Sequence, residues 1–148
     1  MQVGTKRQVK VRLRTEQVDP AGETVHMMHE YAGTMYDRPS ERYIIFEEPD
    51  PRVTTTYKIR PDEVLLSRRG AITCTQVFRQ GDWHYYEYTI AEGTLDLRAL
   101  TQHMNADFSE SAGALHLQYQ LWAGEVELGH YTLELTVEAD APSEADAG

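Results

Sequence analysis

At 148 residues, 41% of them hydrophobic, the chain has the length and apolar content of one globular domain with a real core. Its formal net charge of −10 argues against general binding to nucleic acid or anionic membranes, which need Lys and Arg set against phosphate. No apolar run approaches the ~20 residues of a membrane span, the start MQVGTKRQVKVRLR lacks the apolar stretch of a signal peptide, and the single Cys74 cannot staple the chain internally. A cytoplasmic location is the simplest expectation.

Residues 5–18 read as a first strand, with Val9, Val11 and Leu13 on one face and Lys10, Arg12 and Arg14 on the other. Asp19-Pro20-Ala21-Gly22 makes a turn. Residues 23–36 follow as a second strand with Val25, Met27 and Tyr31 in one phase. Helix is a rival there, because Met27, Met28 and Glu30 tolerate it, but Gly33, Thr34 and Tyr36 favour strand. Arg38-Pro39-Ser40 turns into a third strand, Arg42 to Glu48, and Pro49-Asp50-Pro51 ends it because proline cannot donate to a ladder.

A Thr-rich fourth strand runs from Val53 to Ile59 and a fifth from Glu63 to Arg69. Gly70 leads into a sixth, Ile72 to Phe78; Gln80-Gly81-Asp82 into a seventh, Trp83 to Ile90; and Glu92-Gly93 into an eighth, Thr94 to Thr101. Residues 102–113, QHMNADFSESAG, read as the one longer connection, with room for a short helical turn. The stretch Ala114 to Glu138 reads as a long hairpin turning at Ala123-Gly124. Leu115, Leu117, Tyr119 and Leu121 share one face of its first arm. On the return arm the apolar residues pass from even positions (Val126, Leu128) to odd ones (Tyr131, Leu133, Leu135, Val137), which predicts a one-residue bulge at Gly129-His130. The acidic segment 139–148 has nothing to bury and is expected to be disordered, leaving residues 1–138 as one domain.

Period-two patterning, short connections and the lack of an amphipathic helix define an all-β chain. About eight to ten antiparallel strands joined by hairpins favour an up-and-down barrel, closed by the last hairpin against the first strand.

Sequence signals for catalysis are missing. His26 and His29, in HMMHE, lack the order and spacing of the zinc-protease HExxH helix, and on a strand they point to opposite faces, so no metal is expected. Cys74 shares its phase with Ile72 and Phe78, as a buried, inert thiol would. There is no GxSxG, Gly-rich phosphate loop or CxxC, and no cofactor is expected. The informative residues are polar ones in apolar phases: Glu48 with Ile44 and Phe46, Arg68 with Val64 and Leu66, Gln76 with Ile72 and Phe78, Tyr88 between Tyr86 and Ile90, and Tyr119 on the leucine face of the hairpin. If those faces point inward, Glu48, Arg68, Gln76, Tyr88 and Tyr119 line the barrel. An Arg68–Glu48 pair and the tyrosine hydroxyls could satisfy one another, or they could present hydrogen bonds to a ligand.

The series Val64-Leu65-Leu66-Ser67-Arg68-Arg69-Gly70, Phe78 with Gly81, Tyr88, Gly93-Thr94-Leu95, Thr101, Asp107, Gly113 and Tyr119 resembles the YwiB-like family of bacterial cytoplasmic proteins, which carry a domain of unknown function. Gly22-Glu23-Thr24 and Tyr43-Ile44-Ile45-Phe46-Glu47-Glu48 also look like that family's pattern. The resemblance implies a calycin-type, lipocalin-like barrel and no established activity. A non-enzymatic barrel holding a small polar or amphipathic ligand is therefore the leading expectation. The alternative is a solid barrel that engages a protein through the outer basic face of its first strand (Arg12, Arg14). A homodimer is compatible with the flat outer face of the terminal hairpin.

Overall fold

The computed structural model describes residues 5–140. Among them are ten strands and no helix: β1 Thr5–Val18, β2 Thr24–Arg38, β3 Glu41–Pro49, β4 Arg52–Ile59, β5 Val64–Gly70, β6 Thr73–Phe78, β7 Trp83–Ile90, β8 Gly93–Phe108, β9 Ala112–Ala123 and β10 Val126–Ala139. Each pairs antiparallel with its sequence neighbour. β1 closes the ring on β10, with Val11 opposite Val137 and Leu13 opposite Leu135. The up-and-down barrel expected from the patterning is the fold, and closure gives every strand among the described residues a partner on both sides, the β6–β7 seam being the shortest.

Two corrections concern β8 and the chain end. Residues 102–113 form no loose connection. β8 runs on to Phe108, Ser109–Ser111 make the turn, and β9 starts at Ala112. A bulge between Thr101 and His103 reverses the phase, so the inward series Leu97, Ala99, Thr101 continues as Met104 and Phe108, both packed on the core. That reversal breaks the period-two pattern and disguises a strand as a loop. At the other end, Ala139 belongs to β10: its N–H donates to the Ser111 carbonyl at 2.6 Å, and the Asp140 N–H donates to Gln8 at 3.0 Å. The rest of the expected disordered tail, 141–148, lies outside the described residues.

The bulge in the last hairpin is present but falls one residue early. Glu127 pairs with Trp122 and Gly129 with Leu121, leaving Leu128 as the extra residue. Gly129 has φ +137°, and a Cβ there would stand 2.3 Å from the Val18 carbonyl oxygen. Only glycine fits where β10 crosses so close to the end of β1.

The interior is not uniform along the barrel axis. Around the end that carries the β2–β3, β4–β5, β6–β7 and β8–β9 turns, Val9, Val11, Met35, Ile44, Phe78, Leu115, Leu117 and Leu135 are fully buried in one continuous cluster. Each such side chain contributes about 1.5–3 kcal/mol of burial. Phe108 seals this end. Its ring lies over Gly113, where a Cβ would collide with it, and the Arg42 guanidinium sits 5.3 Å from the ring centre. Arg42 is also fixed by Asp37 at 3.0 Å and by the Ser109 carbonyl at 2.6 Å.

Candidate functional site

The other half of the barrel is open. Its end carries the β1–β2, β3–β4, β5–β6, β7–β8 and β9–β10 turns, and beneath them lies a cavity of about 570 Å³. An aromatic layer separates this cup from the packed half. Tyr31 stacks on Phe46 at 4.8 Å, Phe46 on Tyr57 at 6.2 Å, Phe78 meets Tyr119 at 5.1 Å, and Tyr119 stacks on Tyr131 at 5.3 Å. The wall is mainly Leu side chains (Leu13, Leu66, Leu97, Leu121, Leu133) and tyrosine rings. At the rim Val25, Met27 and Leu95 are each about half exposed (55%, 52% and 50%).

All five residues singled out for their apolar phase line this one cavity: Glu48, Arg68, Gln76, Tyr88 and Tyr119. Strand register explains how. Thr55 of β4 stands opposite Arg68 of β5, Arg68 opposite Cys74 of β6, and Cys74 opposite Tyr88 of β7, which places a belt of inward side chains at one height. Glu48 reaches this belt from β3. Arg68 Nη2 donates to both Glu48 carboxylate oxygens, at 3.1 and 3.0 Å, and Thr55 Oγ1 donates to Glu48 Oε2. Burial works most strongly against a charged Arg68, but the Glu48 carboxylate together with Tyr88 and Cys74 outweighs it, and the guanidinium pKa is raised above its ordinary value. Both partners keep about a fifth of their side-chain surface (21% each), so the pair sits in the cup and not in sealed core.

Gln76 is the outstanding polar group. It is 4% exposed, and its Nε2 has no hydrogen-bond partner. β6 and β7 pair only at Thr73–Thr89 and Cys74–Tyr88, so Gln76 sits on the stretch where β6 leaves its neighbour. It faces Leu66 across β5 and lies diagonal to Arg68, at a spacing of roughly 7–8 Å between such positions.

Sequence reasoning missed Thr55, which is buried and completes the Glu48 contacts. A threonine between Val53 and Tyr57 carries no signal until its partner Glu48 on the neighbouring β3 is known. His29 lines the cup beside Tyr31, at 6.0 Å between ring centres, while His26 points outward to Glu16. Among the described residues no three His, Cys, Asp or Glu side chains converge as a metal site would require. Burial pushes the Cys74 thiol pKa up, only partly opposed by Arg68, so the thiol is a poor nucleophile at neutral pH.

Residues 11–135 match the family model described as a domain of unknown function, DUF1934. The chain belongs to that family. It is 28% identical over 108 residues to the uncharacterized beta-barrel protein YwiB of Bacillus subtilis strain 168, spanning 72% of this chain and 76% of YwiB. The crystal structure of the ywiB protein from Bacillus subtilis superposes with a TM-score of 0.83 at 22% identity, covering 92% of this chain and 94% of that one. This likeness establishes the barrel fold, and the family name carries no activity.

Proposed function

We propose that this DUF1934 barrel is a non-enzymatic binding protein that takes a small polar or amphipathic molecule into its open half, acting in the cytoplasm. The cavity of about 570 Å³ carries this reading: it lies within the size range of small-molecule sites, with apolar walls and a few convergent polar groups. Glu48, Arg68, Gln76, Tyr88 and Tyr119 are the proposed contacts. A calycin-like mode of binding, with the ligand inside the barrel, agrees with this placement as a fold-level analogy. The charged pair Arg12–Glu30 (2.6 Å) on the outer wall supports a barrel whose outside faces water.

Nile red, a neutral apolar dye, tests this reading. A saturable one-to-one fluorescence rise is expected, abolished by Thr15→Trp, which fills the cup from β1. A non-saturable rise, or one unaffected by Thr15→Trp, counts against binding inside the barrel. Native mass spectrometry of freshly purified protein should also show a bound mass.

A second reading has its own observation. On the outer wall the Arg98 guanidinium lies between Trp83 and Trp122, 4.9 and 5.0 Å from their rings, and Tyr85 beside them is 69% exposed. Such an aromatic patch suits a protein partner better than the basic face of β1, where Arg12 is already neutralised by Glu30. Loss of a pulled-down partner on Tyr85→Ser, with Arg12→Glu having no effect, would favour the patch.

A further inference from the structure

We propose that the group received at the floor of the cup is an uncharged hydrogen-bond acceptor, the carbonyl oxygen of a ketone, ester or amide, on an apolar ligand that sits head-first with its chain toward the rim. This deepens the reading of the cavity as a binding site and rests on it.

Three observations converge. Gln76 is buried on the cavity wall with its Nε2 unpartnered. An amide nitrogen is a donor only, so the partner it lacks is an acceptor. One step away diagonally, Arg68 engages Glu48 through Nη2 alone, which leaves the rest of its guanidinium fork to donate beside the same spot. The floor therefore offers donors.

Charge then decides which acceptor. The formally charged side chains on the cavity wall are Arg68 and Glu48, and they cancel in their ion pair; His29 also lines the wall, beside Tyr31. A ligand carboxylate at Gln76 would bring a second negative charge toward Glu48, and an ammonium would bring a second positive charge toward Arg68. Either leaves an unbalanced charge beside the half-buried pair. A carbonyl satisfies Gln76 and Arg68 and leaves the pair intact.

Polarity along the axis sets the orientation. Gln76 and Thr55 are buried, at 4% and 2% exposure, whereas Val25, Met27 and Leu95 stay half exposed at the mouth, where Thr15 and Gln17 pair with Met27 and Val25. A ligand lying carbonyl-down covers those side chains with its hydrocarbon end and removes their surface from water.

The test uses three probes of equal chain length on the native protein: 2-decanone, decanoate and decyltrimethylammonium, by titration calorimetry at neutral pH. The ketone should bind one-to-one, with the two ions about tenfold weaker or more, as the loss of one hydrogen bond or an uncompensated charge implies. With carbonyl-labelled 2-decanone, the bound C=O infrared stretch should be red-shifted in the native protein and should return toward its apolar-solvent value in Gln76→Leu. Either ion binding as tightly as the ketone, or a carbonyl stretch indifferent to Gln76→Leu, overturns the head-group assignment while leaving the cup as a binding site. If none of the three binds, the cup reading and the assignment fall together.

Discussion

The two halves of the barrel share the same strands and alternation but differ in what those strands point inward. In the closed half, branched aliphatics and Phe78 meet across the axis and fill it. In the open half, tyrosines stand back against the wall, a charged pair and an amide take positions that Leu or Ile would fill elsewhere, and space remains. One half makes the fold stable, which frees the other to hold groups that a packed core would not tolerate.

The largest expected contrast is in stability. Phe78→Ala removes a ring that is fully buried in the closed half, and it should cost about 3–5 kcal/mol in urea denaturation. The same truncation of a cup leucine, such as Leu97→Ala, should cost no more than about half as much, because that side chain already borders open space. Equal losses would mean the cup is as tightly packed as the core.

Alkaline pH probes the boundary between the halves. Burial raises the pKa values of Tyr57, Tyr86 and Tyr119 well above the ordinary 10.0. These groups keep their protons in the folded state when the unfolded chain would lose them. Their contribution is therefore fully present below pH 10.0 and falls as pH rises past it. Thermal melts should show a steep drop in stability above that pH, weakened by Tyr119→Phe.

The Arg68–Glu48 pair gives a smaller, signed effect. Arg68→Met leaves the Glu48 carboxylate with only Thr55 and should cost about 2 kcal/mol, whereas the double variant Arg68→Met, Glu48→Met should fold nearly as well as the native protein. If the double variant keeps Nile red affinity unchanged, the pair serves only the fold. A loss of affinity in a stable double variant places it in the site. The smallest effect belongs to the rim. Met27→Ser and Leu95→Ser should change stability by less than about 0.5 kcal/mol yet weaken binding of an apolar probe.

The sequence carried the closed half almost completely. Val9, Val11, Ile44, Leu115, Leu117 and Leu135 announce themselves by period two, and hairpin turns at Gly22, Gly81 and Gly124 set the strand order. It failed at the bulges, because one extra residue at Gln102 reverses the phase and makes Met104 and Phe108 look like loop. The five polar residues were legible as misfits within apolar phases. Whether they met in one place was not, because that depends on the register linking Thr55, Arg68, Cys74 and Tyr88 across four strands. The emptiness of the cup was also hidden: a tyrosine that fills space and one that lines it have the same pattern.

Methyl-resolved NMR during a Nile red titration compares the halves in one experiment. Ring-current shifts are expected at the methyls of Leu13, Leu97, Leu121 and Leu133, which line the cavity, with none at Val11, Ile44, Leu115 or Leu135 in the packed end. Shifts spread equally through both sets, or confined to outward-facing methyls, would contradict a barrel that is solid at one end and a binding cup at the other.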